Sequence, residues 1–534
     1  MKKLSKRKRK WIEKTVANDR SYKLFLYNRF FLFLLSVLAQ IFFSALFIYL
    51  FVYRSQYALV LQGCLAVLKL LFVFLILNDE RRIPTKTGWI VLILLAPVFG
   101  VPTYLFFGRG RPTRKMRRRL ENSRKETDER IKEVFGETAP IKPTSRAEMI
   151  TAYIENCAGY PCYQSGEIEY YKSGEEMFPQ MLAAIDGAEK FILLEYFIIA
   201  HGEMWQTLLK ALLEKAEKGV QIRIIYDDFG CMMTLPPWYE KYLESLSPNI
   251  KCLTFNNVVP LLAMRMNNRD HRKLLVVDGT IGFTGGVNIA DEYIGKKRRF
   301  GFWKDTGVKI TGASVRSFTQ MFFYVFNAFY PQKEDVAAYI LPVSAFDGGL
   351  QKEKYCIQPY DDSPLDNENV AERVYADVIH RAKRYAYIFT PYLVLDDCLR
   401  EALCGAALRG VDVRIVTPAV PDKKIVYRLT RANYGSLLSS GVKIYEYSAG
   451  FIHAKSIVSD DECAVVGTIN FDYRSLYHHF ENAVYFTEKT AIEKLKRDCE
   501  ETFALSHERT KENYKRSFFG KLLDSLLRIL ETLL

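Results

Sequence analysis

One short pattern occurs twice in this chain of 534 residues and constrains its fold more than any other feature. Each copy has a His, a Lys two positions later and an Asp five positions after that Lys: His271, Lys273 and Asp278, then His453, Lys455 and Asp460. A pair of small residues follows each His by fourteen positions, and an asparagine, Asn288 or Asn470, follows it by seventeen. This matched spacing predicts a duplicated half-domain in which each copy contributes one His, one Lys and one Asn.

The residue types in the repeat indicate phosphodiester chemistry. Each His and its Lys are two apart in an apolar run, so both side chains point to one face of a strand. They are costly there unless they line a polar pocket. One imidazole can attack phosphorus, while the other protonates the leaving alkoxide and then takes a proton from the incoming hydroxyl. The two lysines and two asparagines can hold the non-bridging oxygens, so we expect no metal and no cofactor.

Each imidazole also needs a carboxylate behind it to fix its tautomer. Asp305 in "FWKDTGVKI" and Glu481 in "FENAVYF" are the candidates, one downstream of each motif. Each stands at the start of a strand-like run, which we expect to lie beside the histidine strand of its own half.

Strand-like and helix-like segments alternate from about residue 146, and their order recurs in the second half. The stretches "KGVQIRIIYDD" and "RGVDVRIVTPA" look like one element present twice, a glycine that ends a helix and then a strand. Such alternation predicts an α/β sandwich in which helices cover a mixed sheet. We place the first half at residues 146–345 and the second at 346–514.

Apolar segments within residues 29–108 are long enough to enter a membrane. Residues 30–53 and 57–77 each approach the roughly 20 residues that a spanning helix needs. The third segment, 88–107, is interrupted by two prolines and a glycine. We therefore expect a multi-pass protein of the cell membrane.

Two basic segments, the tail and the linker, favour different numbers of membrane crossings. The tail, residues 1–28, predicts a cytoplasmic N-terminus. Three full crossings would place the equally basic linker, residues 109–145, outside. We therefore favour a re-entrant or interfacial third segment and a cytoplasmic catalytic part; the alternative is a true third span and an external catalytic part.

The net charge of +14 is concentrated near the apolar segments. Residues 2–23 hold ten Lys or Arg against two acidic residues, and 109–125 hold nine against one, so the rest of the chain is slightly acidic. Nucleic-acid binders usually carry their basic surface on the folded domain, and we expect no nucleic-acid partner. Here the charge would meet anionic lipid headgroups, although ordinary topogenic charge gives the same pattern.

Two further features concern the cysteines and the C-terminus. The ten cysteines contain no CxxC pair, so neither a disulfide framework nor a zinc site is predicted, and reduced thiols suit the cytoplasm. Residues 515–534 have Leu and Phe at three- and four-residue steps with Lys and Arg opposite, which predicts an amphipathic helix. This helix can lie in the membrane interface or dock on the protein's own core.

The motif segments resemble the phospholipase D superfamily, and in particular the bacterial cardiolipin synthases. The resemblance rests on "NRDHRKLLVVDGTIGFTGGVNIADEY" and "FIHAKSIVSDDECAVVGTINFDYRS" and extends over roughly residues 57–534. It implies two phospholipase-D-like α/β/α halves related by a pseudo-twofold axis, preceded by transmembrane helices. The implied reaction joins two phosphatidylglycerol molecules into cardiolipin and glycerol through a phosphohistidine.

The resemblance also implies roles for individual residues. His271 matches the nucleophile and His453 the general acid and base. Asp305 and Glu481 match the carboxylates that orient the histidines. Asp278 and Asp460 complete the motif; we include them with the catalytic residues, and the alternative is a mainly structural role.

This chain differs from the resembled family at two positions, and its motifs are compatible with other activities. Asn327 stands where the family often has Trp, and His479 where it often has Asn, which bears on the choice of acceptor. The alternatives are a relative that uses water or another alcohol, a nuclease, and a non-catalytic lipid-binding scaffold. The acidic balance of the folded part disfavours the nuclease, and the presence of both His and Lys sets disfavours the scaffold.

Overall fold

The computed structural model describes most of the chain: residues 6–17, 19–54, 56, 58–79, 83–108, 112–136, 146–164, 166–258, 267–346, 355–366, 368–514 and 517–529. Parts of the predicted tail, linker and C-terminal helix lie outside the described residues.

The N-terminal part consists of helices: α1 (Lys6–Ala17), α2 (Asp19–Arg54), α3 (Ala58–Leu77), α4 (Ile83–Leu95), α5 (Pro97–Phe107) and α6 (Arg114–Phe135). Among the described residues, one stretch, Val37–Arg54, is long and apolar enough to cross a membrane. Gln62–Leu77 and Lys86–Leu95 are apolar but shorter. Large apolar side chains of α2 point outward, as on a helix surrounded by lipid: Phe43 is 65% exposed and Phe47 70%.

Helices α4 and α5 form a tight hairpin instead of one continuous helix. An added Cβ on Gly100 would lie 2.7 Å from Leu92 O and 2.8 Å from Ile93 Cα. Residues eight apart in a continuous helix are about 12 Å apart, so α5 folds back on α4. The 13 residues of α4 span only about 20 Å, which is less than the roughly 30 Å of a hydrocarbon core.

The first half is built on one mixed sheet with the strand order β1-β8-β6-β5-β2-β3-β4. Its helices and strands are α7 (Arg146–Ala158), β1 (Ile168–Tyr171), α8 (Gly174–Asp186), β2 (Phe191–Tyr196), α9 (Glu203–Glu217), β3 (Gln221–Asp227), α10 (Tyr239–Leu246), β4 (Ile250–Phe255), β5 (Lys273–Val277), β6 (Ile281–Gly285), β7 (Phe302–Lys304), β8 (Gly307–Thr311) and α11 (Val315–Phe329). Strand β2 is buried along its whole length, which explains why its first four residues, 191–194, are all apolar.

The second half repeats this architecture, which confirms the predicted duplication. Its elements are β9 (Ile357–Asp362), α12 (Val370–Arg381), β10 (Tyr385–Phe389), α13 (Asp397–Leu408), β11 (Asp412–Pro418), α14 (Lys424–Ser439), β12 (Lys443–Tyr447), β13 (Gly450–Ile452), β14 (Ser456–Ser459), β15 (Cys463–Gly467), α15 (Tyr473–Tyr477), β16 (Glu481–Phe486), α16 (Lys489–Ala504), β17 (Ser506–Arg509) and α17 (Phe518–Ile529). The strand order β9-β16-β15-β14-β10-β11-β12 matches the first sheet strand for strand, with β17 added at the edge. The predicted α/β fold with two related halves is therefore confirmed.

The predicted linker is wrong for most of its described length, because residues 114–135 form helix α6. Thr113 accepts a hydrogen bond from Met116 N–H at its start, and Gly136 ends it with a φ of 75°. The helix packs along α11 with Leu120, Ser123, Thr127 and Ile131 buried. Two of these four are polar, so the buried face of a very basic helix gave no clear apolar periodicity.

Two contacts of residues 146–164 also differ from the predictions. Helix α7, assigned to the first half, packs on β9 and α12 of the second half. Just after it, Cys162 and Cys356 form a disulfide, although no disulfide was expected. The two cysteines are 194 positions apart, and the backbone pairing of Tyr163 with Ile357 brings them together, which no sequence spacing reveals.

Helices at both ends of the chain dock on the α/β body, residues 146–514. Ile12 of α1 is fully buried in the first-half core, and Lys8 lies over the Trp238 ring at 4.1 Å. The C-terminal helix α17 docks on α14, where Asp524 accepts a hydrogen bond from Arg428 Nε at 2.8 Å. Phe518, at its start, is 77% exposed, so α17 combines docking with an outward apolar end.

The docking of α6 gives a direct test of its structural role. Leu120 is 2% exposed, so Leu120→Ala should cost roughly 2–5 kcal/mol of stability. We expect a lower midpoint of thermal unfolding, which can be measured by tryptophan fluorescence of the protein in detergent. Lys125→Ala is the matched control, since that side chain is 75% exposed. Equal midpoints for both variants would mean that α6 does not contribute to the folded body.

Candidate active site

The two motifs meet where the two sheets face each other, with β6 close to β15 and β16. His271 lies just before β5 and His453 just before β14, the matching strands of the two halves. Lys273 is the first residue of β5, and Lys455 immediately precedes β14. All four side chains are buried. The structure thus brings both His-Lys pairs to one interface, as the repeat predicted.

Each motif histidine is held by the opposite half. The His271 N–H donates to Phe480 O at 2.8 Å, and its Nδ1 lies 2.8 Å from Glu481 Oε2. In the same way the His453 N–H donates to Lys304 O at 2.7 Å, and its Nδ1 lies 2.6 Å from Asp305 Oδ2. The predicted carboxylates are therefore present, but the expectation that each serves the histidine of its own half is wrong.

These contacts fix which ring nitrogen can react. A hydrogen bond between Nδ1 and a carboxylate places the ring proton on Nδ1 and leaves the Nε2 lone pair for chemistry. Lys455 Nζ also lies 2.8 Å from His453 Nδ1, and one nitrogen cannot both donate and accept. We assign the Nδ1 proton to the bond with Asp305, because that contact is shorter and its acceptor is a carboxylate.

The two carboxylates have different surroundings. The Thr468 hydroxyl donates to Glu481, whereas the matching residue of the first half, Gly286, has no side chain. A Cβ on Gly286 would lie 2.0 Å from Asp305 Oδ1, so this glycine makes the space that the aspartate occupies. Asp305 Oδ1 also accepts the Thr306 N–H at 2.8 Å.

Burial and neighbouring charges shift the pKa values in the site. Burial lowers the pKa of the Lys273 ammonium to about 7 and that of Lys455 to about 8. Burial also lowers the pKa of His271 well below its usual value, with the nearby Glu481 carboxylate acting in the opposite sense. For His453, burial and then Lys455 lower the pKa well below the usual value. Both imidazoles therefore start neutral, and the two lysines beside them change charge near neutral pH.

The carboxylates shift in opposite directions. Burial raises the pKa of Asp305 to about 7. Burial alone would also raise the pKa of Glu481, but His271 and His479 hold it below its usual value. Glu481 is therefore a fixed anion, while Asp305 titrates near neutrality.

The two motif asparagines are buried at the same interface but differ in their contacts. Asn288 Oδ1 accepts the Ile198 N–H at 3.1 Å, and its Nδ2 donates to the Tyr293 hydroxyl at 2.7 Å. Asn470 Oδ1 is buried without a hydrogen-bond partner in the described part of the chain. Phosphate binding by either amide remains a prediction, and Asn288 has only one N–H left for it.

Asp278 and Asp460 lie away from the histidines, at the far ends of their strands. Asp278 follows β5, so about five residues and some 17 Å separate it from Lys273. Its carboxylate accepts three backbone N–H groups at the start of β2 at 2.7–2.8 Å. Asp460 does the same for residues 383–385 at 2.7–2.9 Å. These contacts contradict a direct catalytic role and support the structural one.

Aromatic rings surround the reacting groups and were not predicted from the sequence. Phe197 meets the His271 ring edge-on at a centroid distance of 4.9 Å. Trp303 and Phe451 lie at 5.6 and 5.9 Å from the His453 ring, beside the short cross-half pair β7–β13. His479, whose ring lies 5.4 Å from that of His271, was also missed as a site residue. The only sequence signal was an aromatic residue next to each catalytic segment.

Solved structures share this fold. The phosphatidylserine synthase of Haemophilus influenzae superposes with a TM-score of 0.54 at 15% identity, covering 73% of this chain and 100% of its own. At that identity the likeness shows the fold alone.

Sequence comparisons give the family. The description "Cardiolipin synthase, PLD-like domain" matches residues 181–305 and 375–503, and "Phospholipase_D-nuclease N-terminal" matches 67–109. A cardiolipin synthase of Geobacillus kaustophilus is 34% identical over 89% of this chain and 93% of its own length. One of Staphylococcus aureus is 32% identical over 88% and 95%, and an uncharacterized Streptococcus mutans protein is 38% identical over 86% and 99%. The chain belongs to the cardiolipin synthase family of phospholipase-D-like phosphatidyltransferases.

The space beside Asp305 yields a prediction about the site. Gly286→Ala puts a methyl group 2.0 Å from Asp305 Oδ1 and should push the carboxylate off His453. Because acid-base catalysis contributes about 10²–10⁴-fold, we expect a loss of kcat per folded enzyme in that range. The midpoint of thermal unfolding should fall as well, because the displaced buried carboxylate loses its partner. Gly435→Ala is the control, since nothing lies within 4 Å of that position. Normal kcat in Gly286→Ala would show that His453 does not depend on Asp305.

Proposed function

We propose that this chain synthesises cardiolipin, transferring a phosphatidyl group from one phosphatidylglycerol molecule to another and releasing glycerol. The proposal is supported above all by the crossed histidine–carboxylate pairs, which offer two neutral imidazoles with free Nε2 atoms to one phosphate. It is also supported by the family, whose members are named cardiolipin synthases.

In the proposed first step, Nε2 of His271 attacks phosphorus of the donor lipid, and the bond to the glycerol oxygen breaks. Binding of the anionic phosphodiester favours a second proton, on Nε2 of His453. His453 donates that proton to the glycerol oxygen, so glycerol leaves neutral. A hydroxyl of the second phosphatidylglycerol then gives its proton back to His453 and attacks phosphorus, which frees His271. Lys273 and Lys455 hold the non-bridging oxygens, and Asn288 and Asn470 assist them.

The choice between lipid and water as acceptor depends on how well the intermediate is shielded. Trp303, Phe451 and Phe197 cover the two histidines with apolar surface. The side chains of His271 and His453 are only 9% and 10% exposed. Such exclusion of water favours transfer to a lipid hydroxyl over hydrolysis.

The reaction can be tested in membranes from a host without its own cardiolipin synthases, supplied with labelled phosphatidylglycerol. We expect equal amounts of cardiolipin and glycerol, and loss of both in His271→Ala because the nucleophile is gone. Phosphatidic acid without cardiolipin would identify water as the acceptor and overturn the proposal. Near-normal activity of His271→Ala would overturn the two-histidine mechanism.

We also propose that the enzyme is a multi-pass membrane protein with a cytoplasmic catalytic body. Helix α1 docks on that body, so an even number of crossings must separate them. Helices α2 and α3 as two crossings, with α4 and α5 as a re-entrant hairpin, satisfy this condition. The basic N-terminal tail then lies in the cytoplasm, together with the equally basic α6.

The disulfide between Cys162 and Cys356 favours the opposite side, because such bonds are rare in the cytosol. The docking of α1 puts the basic tail and the catalytic body on one side, and the excess of Lys and Arg in that tail assigns this side to the cytoplasm. Two reduced thiols would also pack well in the same buried place.

A labelling experiment decides the topology. Cys157 is exposed on α7, so a membrane-impermeant maleimide should label it in broken cells and not in intact ones. Cys157→Ser is the control that identifies the labelled thiol. Labelling of Cys157 in intact cells would place the catalytic body outside.

A further inference from the structure

His479 is a buried histidine whose polar atoms have nothing to bind. Its side chain is 10% exposed, and neither ring nitrogen makes a hydrogen bond among the described residues. Its Nδ1 lies 3.6 Å from Glu481 Oε1, which is beyond hydrogen-bond distance. Glu481 Oε1 is likewise buried without a hydrogen-bond partner in the described chain. Buried polar atoms without partners are rare and call for an explanation such as an ion.

The same three side chains form a compact set of ligand atoms. One ligand atom each from His271, His479 and Glu481 lies within 4.8 Å of the others. Two imidazoles and one carboxylate are a ligand set that zinc takes in tetrahedral sites, with water as the fourth ligand. This cluster contains no cysteine. It differs in that respect from a second cluster of possible ligands, Glu372, Asp396 and Cys398.

We propose that His271, His479 and Glu481 form a zinc-binding site, and that zinc bound there reversibly inhibits the enzyme. The inhibition rests on the proposed function, whereas the binding does not. Free of metal, His271 carries its proton on Nδ1, facing Glu481, and has its lone pair on Nε2. Zinc takes the Nδ1 lone pair, and the ring proton moves to Nε2. The imidazole stays neutral, but Nε2 then has no lone pair to attack phosphorus.

Binding is tested first, without any activity readout. Full-length protein in detergent is titrated with Co²⁺ as a spectroscopic substitute for zinc, followed by zinc in calorimetry. We expect the absorption of a tetrahedral Co²⁺ site without a thiolate-to-metal band, and its loss in His479→Asn. A thiolate band that persists in that variant, or no binding by the wild type, would overturn the proposed site.

Inhibition is tested next. For each variant, the activity in the presence of zinc is compared with the activity of the same variant in a metal chelator. We expect zinc to inhibit the wild type at least tenfold, with recovery after chelation and no effect of Mg²⁺. His479→Asn should raise the zinc concentration for half-inhibition by at least about tenfold, since even an outer partner of a metal site is worth that much. His507→Asn, an exposed histidine on β17, should respond like the wild type.

The outcomes separate the two proposals. Equal zinc sensitivity of the wild type and His479→Asn would overturn the inhibitory site even if cardiolipin is made. Zinc binding without inhibition would overturn the tautomer argument. Cobalt binding through His479 in a protein that makes no cardiolipin would uphold the binding site and reject the proposed reaction.

Discussion

The crossed pairing of histidine and carboxylate is the contact on which the catalytic body depends. Each half supplies the imidazole of one pair and the carboxylate of the other, so neither half contains a complete histidine site. The backbone is tied in the same way, since each histidine N–H donates to the carbonyl just before the carboxylate of the opposite half. Removing either histidine from the docked halves would leave a buried carboxylate without its partner, a cost of several kcal/mol. The pseudo-twofold arrangement is therefore a requirement of the chemistry as well as a trace of duplication.

A network of charged residues extends from this interface toward the N-terminal helices. Arg272, next to the predicted nucleophile, is 1% exposed and lies 2.7 Å from Glu195 and 3.6 Å from Asp361. Asp361 in turn lies 3.9 Å from Arg124 of α6. Removing one member of such a network strands its partners. Helix α6, which follows the α4–α5 hairpin, is thereby connected to the residue beside His271 through two ion pairs, of which the one with Arg124 is partly exposed.

The sequence predicted the residues of the site better than their connections. Matched spacing identified both His-Lys pairs, because residue types at fixed intervals are properties of the chain itself. The carboxylates were found because each imidazole needs one to fix its tautomer. It assigned Asp305 and Glu481 to the wrong histidines, because the docking of one sheet on another leaves no periodic signal in either strand. Helix α6 was missed for a related reason, since its buried face includes Ser123 and Thr127. The Cys162–Cys356 pair depends entirely on long-range docking.

The halves are equal in topology but unequal in electrostatics, and this inequality favours distinct roles. Glu481 accepts the Thr468 hydroxyl and has a lowered pKa, so it holds the Nδ1 proton of His271 in place and keeps Nε2 nucleophilic. Burial raises the pKa of Asp305 to about 7, so its hold on His453 changes with small changes of nearby charge. A general acid and base must give up a proton and take one back within one turnover, which suits an imidazole with such a partner. The assignment of His271 as nucleophile and His453 as proton carrier is therefore supported by local physical differences as well as by resemblance.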